Sequence, residues 1–165
     1  DIIETYVEEN DIDRNTGEMV QNAIEFSESS AKDVMTSWEN VVCISADMPA
    51  DDAAQFIRNC GHSRLPVTDD SGDVIGTLSI RRFLKRYIKD QGNTSVREVM
   101  STPEFIPVST PVDDLLGALS QKRTHLAYIK SDNKVLGIIT VEDILEELVG
   151  EIYDEEDVIG GDTAV

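Results

Sequence analysis

Two stretches decide how this chain is read: VIGTLSIRRFL, Val74 to Leu84, and VLGIITVEDIL, Val135 to Leu145. Each runs as strand-forming residues around a central Gly, then a Ser or Thr, then the opening of an amphipathic helix. Arg81 and Arg82 stand in the first copy where Glu142 and Asp143 stand in the second. One frame carries opposite charge at two equivalent places, and that contrast sets the functional question.

The similarity extends outward from these stretches. KDVMTS (Lys32 to Ser37) matches REVMST (Arg97 to Thr102), and PADDAAQFI (Pro49 to Ile57) matches PVDDLLGAL (Pro111 to Leu119). HSRLPV (His62 to Val67) lies over RTHLAY (Arg123 to Tyr128). Self-similarity over this length indicates two copies of one supersecondary unit. Each copy reads β-α-β-β-α. A short strand comes first, VVCIS (Val41 to Ser45) or FIPVS (Phe105 to Ser109). A helix follows, opened by Pro and two acids that suit its positive end. Its apolar face is Ala53, Ala54, Phe56, Ile57 and Cys60 in copy one, and Leu115, Leu116, Ala118 and Leu119 in copy two. Two strands joined by DDSGD or SDNK come next, and a final helix closes the unit: RRFLKRYIK or VEDILEELVGEI. The fold class is α/β, of the α+β kind. One copy alone would expose an apolar sheet face, so the two are expected to pack with pseudo-two-fold symmetry and two equivalent clefts.

The expected organisation is an acidic lead-in over 1–31 with a helix from about Gly17 to Phe26, repeats over 32–92 and 93–151, and an acidic tail over 152–165. The chain has 165 residues, 40% of them hydrophobic, enough for two small units sharing a core. It begins with Asp1 rather than Met and reads as a fragment of a longer protein. No apolar run approaches the ~20 residues of a membrane helix, and no signal peptide is visible. The net charge of −19 argues against nucleic acid as a partner. It also favours divalent cations as companions of any anionic ligand. Cys43 and Cys60 are too few for a disulfide framework and read as small buried thiols in a reducing compartment.

The pattern resembles the CBS domain (cystathionine-β-synthase domain), which works as a tandem pair, the Bateman module. The segments GHSRLPV and GIITVEDIL are close to its hallmarks, and the resemblance covers Lys32 to about Gly150. NAIEFSESSAKDVMT and VEDILEELVGEIYDEED look further like the HlyC/CorC transporter family, which includes the cyclin-M magnesium transporters. That family carries a membrane domain before the CBS pair. It usually follows VMT with Pro and Arg, whereas Thr36 here is followed by Ser37 and Trp38.

Thr140-Val-Glu-Asp143 has two readings. It is a capping box in which Asp143 reaches back to a free backbone N–H, although such boxes prefer Glu or Gln at that place. Alternatively, a carboxylate at a helix start accepts ribose hydroxyls. The resemblance implies the second reading, since the matching Asp grips ribose in CBS pairs that bind adenosine nucleotides. It further implies that Thr36 or Ser37 and the strand near Val42 flank the adenine, and that the backbone around His62 and Ser63 hydrogen-bonds it. His125 stands where related pairs place a phosphate contact; the competing reading is a histidine hydrogen-bonded to backbone. No further His or Cys stands at ligand spacing, so no zinc site is expected.

The twin cleft would use Ser79 and Arg82 with Arg64, Ser101, Thr102 and Thr124. An Arg accepts no hydrogen bond, so this cleft should not hold ribose, though Arg64 and Arg82 could hold an anion. The charge contrast has a second explanation. In CBS pairs the final helices usually form the dimer interface, and opposite charges would favour a head-to-tail homodimer. No Gly-rich phosphate loop, nucleophile elbow or acid/base pair is present, so no enzyme is expected. The expectation is a regulatory module that binds AMP or ATP with Mg²⁺ and controls an attached transmembrane transport domain from its cytoplasmic face. The competitors are a ligand-free dimerisation module sensing divalent cations through its acidic surface, and a regulatory segment of a soluble enzyme.

Overall fold

The computed structural model describes residues 29–159, and the side chains of residues 29–150. The element order is α1 (Ala31–Val34), β1 (Thr36–Ser37), a 3-10 turn (Trp38–Asn40), β2 (Ile44–Ser45), α2 (Ala50–Arg58), β3 (Arg64–Thr68), β4 (Val74–Ser79) and α3 (Ile80–Lys89). The second half follows as α4 (Val96–Val99), β5 (Phe105–Pro107), α5 (Val112–Gln121), β6 (Leu126–Ser131), β7 (Lys134–Thr140) and α6 (Val141–Ile159). The expected β-α-β-β-α order therefore occurs twice, as β2-α2-β3-β4-α3 and β5-α5-β6-β7-α6. The helix expected over Gly17 to Phe26 lies outside the described residues.

The chain divides into two compact units that are offset from the sequence repeats. One comprises the described residues through Glu39 and those from Glu104 onward; the other is Asn40–Pro103. Within the first, the strand order is β1-β7-β6-β5, with β1 antiparallel to β7 and β5 parallel to β6. Its core runs through Leu115 and Leu119 of α5, Ile129 and Ile139 of the sheet, and Ile144 and Leu148 of α6. Within the second, the order is β2-β3-β4, with a core of Ile44, Ile57, Leu65, Val67, Leu78 and Phe83. Here α4 brings Ser101 to β4, where Ser101 and Thr77 exchange backbone hydrogen bonds of 2.9 and 3.0 Å.

The V-M-T and V-M-S segments thus belong in space to the unit built from the other copy's strands. This accounts for the central glycines of the decisive stretches. Gly137 pairs with Ser37, and a Cβ there would overlap the Thr36 carbonyl. At Gly76, a Cβ would meet the Met100 Sδ at 2.6 Å. At Gly137 only glycine lets a second backbone lie this close, while at Gly76 it is a side chain that fills the space.

Several expectations are corrected. The first strand of copy one is only Ile44–Ser45, because pairing with β3 covers Val67 and Thr68 alone and leaves Val41 to Cys43 without a strand partner. Similarly, β5 stops at Pro107, short of Val108 and Ser109. Phe56, assigned to the apolar face of α2, is 36% exposed. The last helix continues to Ile159, so the segment read as a tail from 152 begins as helix. Cys43 and Cys60 are free and half-buried rather than buried, with burial raising the Cys43 thiol pKa. The turns behave as their sequences dictate: Asp132 and Asn133 both take positive φ between β6 and β7.

Tyr87 of α3 donates its hydroxyl proton to Asp51 of α2. That hydrogen bond, with burial and the Asp51 charge, holds the phenol above its ordinary pKa. The contribution is complete below the usual tyrosine range and is lost as pH rises through the raised value. Tyr87→Phe should therefore flatten the alkaline side of the stability profile, measured by urea unfolding at stepped pH. For the glycines, Gly137→Ala should destabilise by about 1–3 kcal/mol. Gly76→Ala should cost less, since a Met side chain yields more readily than a backbone carbonyl. Gly117, exposed within α5 with nothing near its missing Cβ, should stabilise by about 0.5–1 kcal/mol as Ala. Calorimetric melting of the three variants checks the order.

Candidate functional site

The first unit gathers Thr140, Asp143 and His125 at one end of its sheet. Thr140 ends β7 opposite Leu126, the first residue of β6, and α6 begins immediately after it. The Asp143 N–H donates to Thr140 Oγ1 at 3.1 Å, and the Thr140 N–H donates to Asp143 Oδ2 at 3.1 Å. The capping box expected from the sequence is therefore closed in both directions, using Asp where Glu is commoner. The His125 carbonyl accepts the Val141 N–H at 3.1 Å, which ties the residue to the same helix start. Both Asp143 and His125 are half-buried.

The box does not exhaust Asp143. A carboxylate offers about four lone-pair sites over two oxygens, and Thr140 takes one, on Oδ2. Oδ1 has no partner among the described residues, and it sits where free backbone donors and the helix dipole favour negative charge. The cap thus orients the carboxylate and leaves capacity for further donors. Thr36 and Ser37 lie on the same sheet, paired with Ile138 and Gly137, the residues just before Ile139 and Thr140.

The second unit repeats this arrangement with one half missing. Ser79 ends β4, and its Oγ accepts the Arg82 N–H at 3.3 Å. Arg82 has no oxygen with which to return the bond. Arg64 is the cross-strand partner of Ser79, so Arg64, Ser79 and Arg82 share one end of the sheet. Among the described residues neither guanidinium has a carboxylate within ion-pair distance. Ser101 is tied to Thr77, the residue two before Ser79. Thr102 is exposed beside it. His62 and Ser63 are exposed just before β3, and Val42 is 41% exposed in the irregular segment before β2. Thr124, grouped with the arginines in the sequence reading, belongs to the first unit, and its Oγ1 bonds the Leu126 carbonyl at 2.9 Å.

Strand register corrects one overlay. Arg64 pairs with Ser79 as Leu126 pairs with Thr140, so HSRLPV corresponds to THLAYI rather than RTHLAY. The structural counterpart of His125 is Ser63, whose carbonyl likewise accepts the first helical N–H, from Ile80 at 3.1 Å. Aligning Leu65 on Leu126 had matched like with like but slipped the strand by one residue, which exchanges its faces.

An aromatic group also went unrecognised. Trp38 stands edge-on to the buried Tyr128 at 6.4 Å, Tyr128 packs on Phe105 at 5.8 Å, and Lys130 Nζ lies 4.6 Å over the Phe105 ring. The only signal was Trp38 itself, standing where the resembling family has Arg. Among the described residues, no group of three or more His, Cys, Asp or Glu side chains could hold a metal ion. No helix among them is long and apolar enough to cross a membrane.

Two β-α-β-β-α copies, each ending in a strand–hydroxyl–helix junction, define a tandem pair of one supersecondary unit. The chain belongs to the CBS domain family, which it matches at residues 31–89 and 96–150. It is similar to the magnesium and cobalt efflux protein CorC of Pasteurella multocida, at 32% identity over 148 residues covering 88% of this chain and 49% of that protein. It is also similar to hemolysin C of Brachyspira hyodysenteriae, at 29% identity over 145 residues, covering 85% of this chain and 53% of that protein. The chain spans from 33% to 53% of the length of such curated relatives. Among solved structures it resembles the CBS domain of a bacterial CNNM/CorC family Mg²⁺ transporter in complex with ATP. That likeness has TM-score 0.71 and 27% identity, covering 80% of this chain and 95% of that one.

The half-formed box in the second unit can be completed. Arg82→Asp should install the missing return bond to the Ser79 N–H and favour the α3 dipole, stabilising by about 0.3–1 kcal/mol. Thermal unfolding against the unaltered chain measures it.

Proposed function

We propose that this CBS pair is a non-catalytic regulatory module that binds an adenosine nucleotide, AMP or ATP, through Asp143 at the start of α6. The observation that carries this reading is the Asp143 carboxylate, fixed by Thr140 through Oδ2 with Oδ1 left for ribose hydroxyls. The similar CBS domain solved with ATP supports the ligand class. Thr140 orients the carboxylate. His125, held beside the same helix start by its carbonyl, supplies the phosphate contact. Thr36 or Ser37 flanks the base. Val42, His62 and Ser63 belong to the other unit, and their role in adenine binding rests on the family resemblance. Mg²⁺ offsets the phosphate charge that a chain of net charge −19 would otherwise repel.

In the second unit Arg82 cannot accept ribose hydroxyls, so the junction of Arg64, Ser79 and Arg82, with Thr102 and Thr124 assigned to it by the symmetry of the copies, is not a second ribose site, though Arg64 and Arg82 can hold an anion. The relatives' names support a whole protein in which a transmembrane domain moves magnesium or cobalt and this module, as a homodimer, acts on it from the cytoplasmic side. Control requires that the nucleotide bind one arrangement of the module better than another.

Asp143→Ala should weaken ATP binding by about 1.5–3 kcal/mol, roughly tenfold to a hundredfold, by calorimetry with and without Mg²⁺. Asp143→Asn keeps an acceptor oxygen for the cap and loses the charge, so it should retain more stability while still losing affinity. Variants that melt earlier yet bind ATP unchanged would reduce Asp143 to a cap. Association that tightens with Mg²⁺ alone, without any nucleotide binding, would replace this reading with cation sensing by the acidic surface.

A further inference from the structure

The sheet of the first unit carries a row of side chains that leads to the Thr140–Asp143 junction. Thr36 of β1 stands opposite Ile138 of β7, Ile138 opposite Tyr128 of β6, and Tyr128 beside Phe105 of β5. Directly paired residues point to one face of a sheet. The alternate residues Ala127, Ile129 and Ile139 belong to the core beneath α5 and α6, so the row lies on the opposite face. Thr140 comes two residues after Ile138 on the same strand. It therefore shares this face, one row further along, about 7 Å away.

Trp38 leans on this row. It opens the 3-10 turn after β1, and its ring stands edge-on to Tyr128 with centroids 6.4 Å apart. The three rings differ in what they still offer. Tyr128 is fully buried and packs on both of its neighbours. Phe105 takes Tyr128 at 5.8 Å and the Lys130 ammonium over its ring at 4.6 Å. Trp38 is half-buried and meets no ring but Tyr128 among the described residues, so at least one face of its indole is free of any other ring. Its indole N–H has no hydrogen-bond partner among those residues either. A tryptophan that serves only as filling usually has that group bonded. The resembling family carries an arginine at this place, so the ring is a feature of this chain.

We infer that Trp38 is the base-selecting residue of the nucleotide site: its free indole face stacks on the purine ring of a nucleotide whose ribose is held at Asp143. This rests on the nucleotide binding proposed above and adds what chooses the base. The spacing fits, because two strand residues separate the Thr140 row from the row that Trp38 touches, and that is the reach from the hydroxyl edge of a ribose to its base. The chemistry fits as well. Asp143 cannot tell one ribonucleotide from another, since every ribose offers the same hydroxyls. Stacking grows with ring area, so a two-ring purine gains more on an indole than a one-ring pyrimidine does. Stacking on a neutral ring also escapes the repulsion that a net charge of −19 imposes on phosphates. The ligand class is thus a purine ribonucleotide, with Asp143 requiring the sugar and Trp38 the base.

Trp38 is the chain's one tryptophan, so tryptophan emission reports on this position alone. The test titrates the whole chain with ATP and with CTP, each with Mg²⁺, following emission and its quenching by acrylamide, with calorimetry on the same samples. ATP should change the emission saturably, at the midpoint that calorimetry gives, and should shield the ring from acrylamide. CTP should bind about tenfold more weakly. Trp38→Leu should weaken ATP binding about tenfold and bring ATP and CTP to similar affinity, whereas Trp38→Phe, which keeps a stacking face, should recover most of the preference. Circular dichroism confirms that each variant is folded; if Trp38→Leu does not fold, the emission of the unaltered chain and the Trp38→Phe affinities decide. ATP binding that Asp143→Ala weakens, with emission and acrylamide quenching unmoved, would overturn the stacking role and leave the nucleotide site standing. A folded Trp38→Leu chain that keeps the full preference for ATP over CTP would do the same. No ATP binding to the unaltered chain would overturn both.

Discussion

The close crossing of one backbone over glycine organises the first unit. β1 lies antiparallel on β7, with Ser37 opposite Gly137 and the Thr36 carbonyl occupying the space that any side chain at Gly137 would need. The crossing adds a fourth strand, brings Trp38 against Tyr128, and packs Ala31, Val34 and Met35 into a core otherwise built from the second copy. On its other edge β7 pairs with β6 up to its last residue, Thr140, whose hydroxyl starts α6 and whose N–H holds Asp143. The second unit has a weaker version, in which a single pair of backbone bonds joins Ser101 to Thr77 and a flexible Met side chain abuts Gly76.

Much of this was legible in the residues. Strand periodicity and the Gly-hydroxyl-helix junctions announced two copies of one unit. Pro with paired acids marked the starts of α2 and α5, and the box at Thr140 was read in its structural form. What the sequence could not show was which copy each V-M-S/T segment would join, because the match of KDVMTS to REVMST says that they are equivalent and not where they pair. The strand overlay failed for a related reason. Leu65 and Leu126 are alike, but register is set by backbone pairing, and Leu126 stands opposite Thr140 while Leu65 stands opposite Leu78. The short first strand was over-read from Val41, whose apolar run has a partner only from Ile44 onward. The capping role of Asp143 followed from local chemistry; its ribose role, like the roles of Val42, His62 and Ser63, followed from resemblance.

The two helix starts show how little chemistry separates them. Both have a strand hydroxyl capping the third helical N–H, and in both the carbonyl of the residue just before the partner strand accepts the first. One returns a carboxylate to the cap and retains an acceptor; the other presents a guanidinium, which can only donate. The same inversion continues along the two helices as Lys85 against Glu146 and Arg86 against Glu147. A single inversion of sign thus decides which junction keeps a carboxylate acceptor and which presents only donors.

The central claim is that the Thr140–Asp143 junction, and not its Ser79–Arg82 counterpart, receives the nucleotide. Backbone amide NMR during titration with ATP and Mg²⁺ tests it most directly. The account predicts saturable shifts at Thr140, Val141 and Asp143, with Ser79, Ile80 and Arg82 unmoved. Saturable shifts confined to the Ser79–Arg82 junction, or none at Asp143 under conditions where ATP binds, would contradict it.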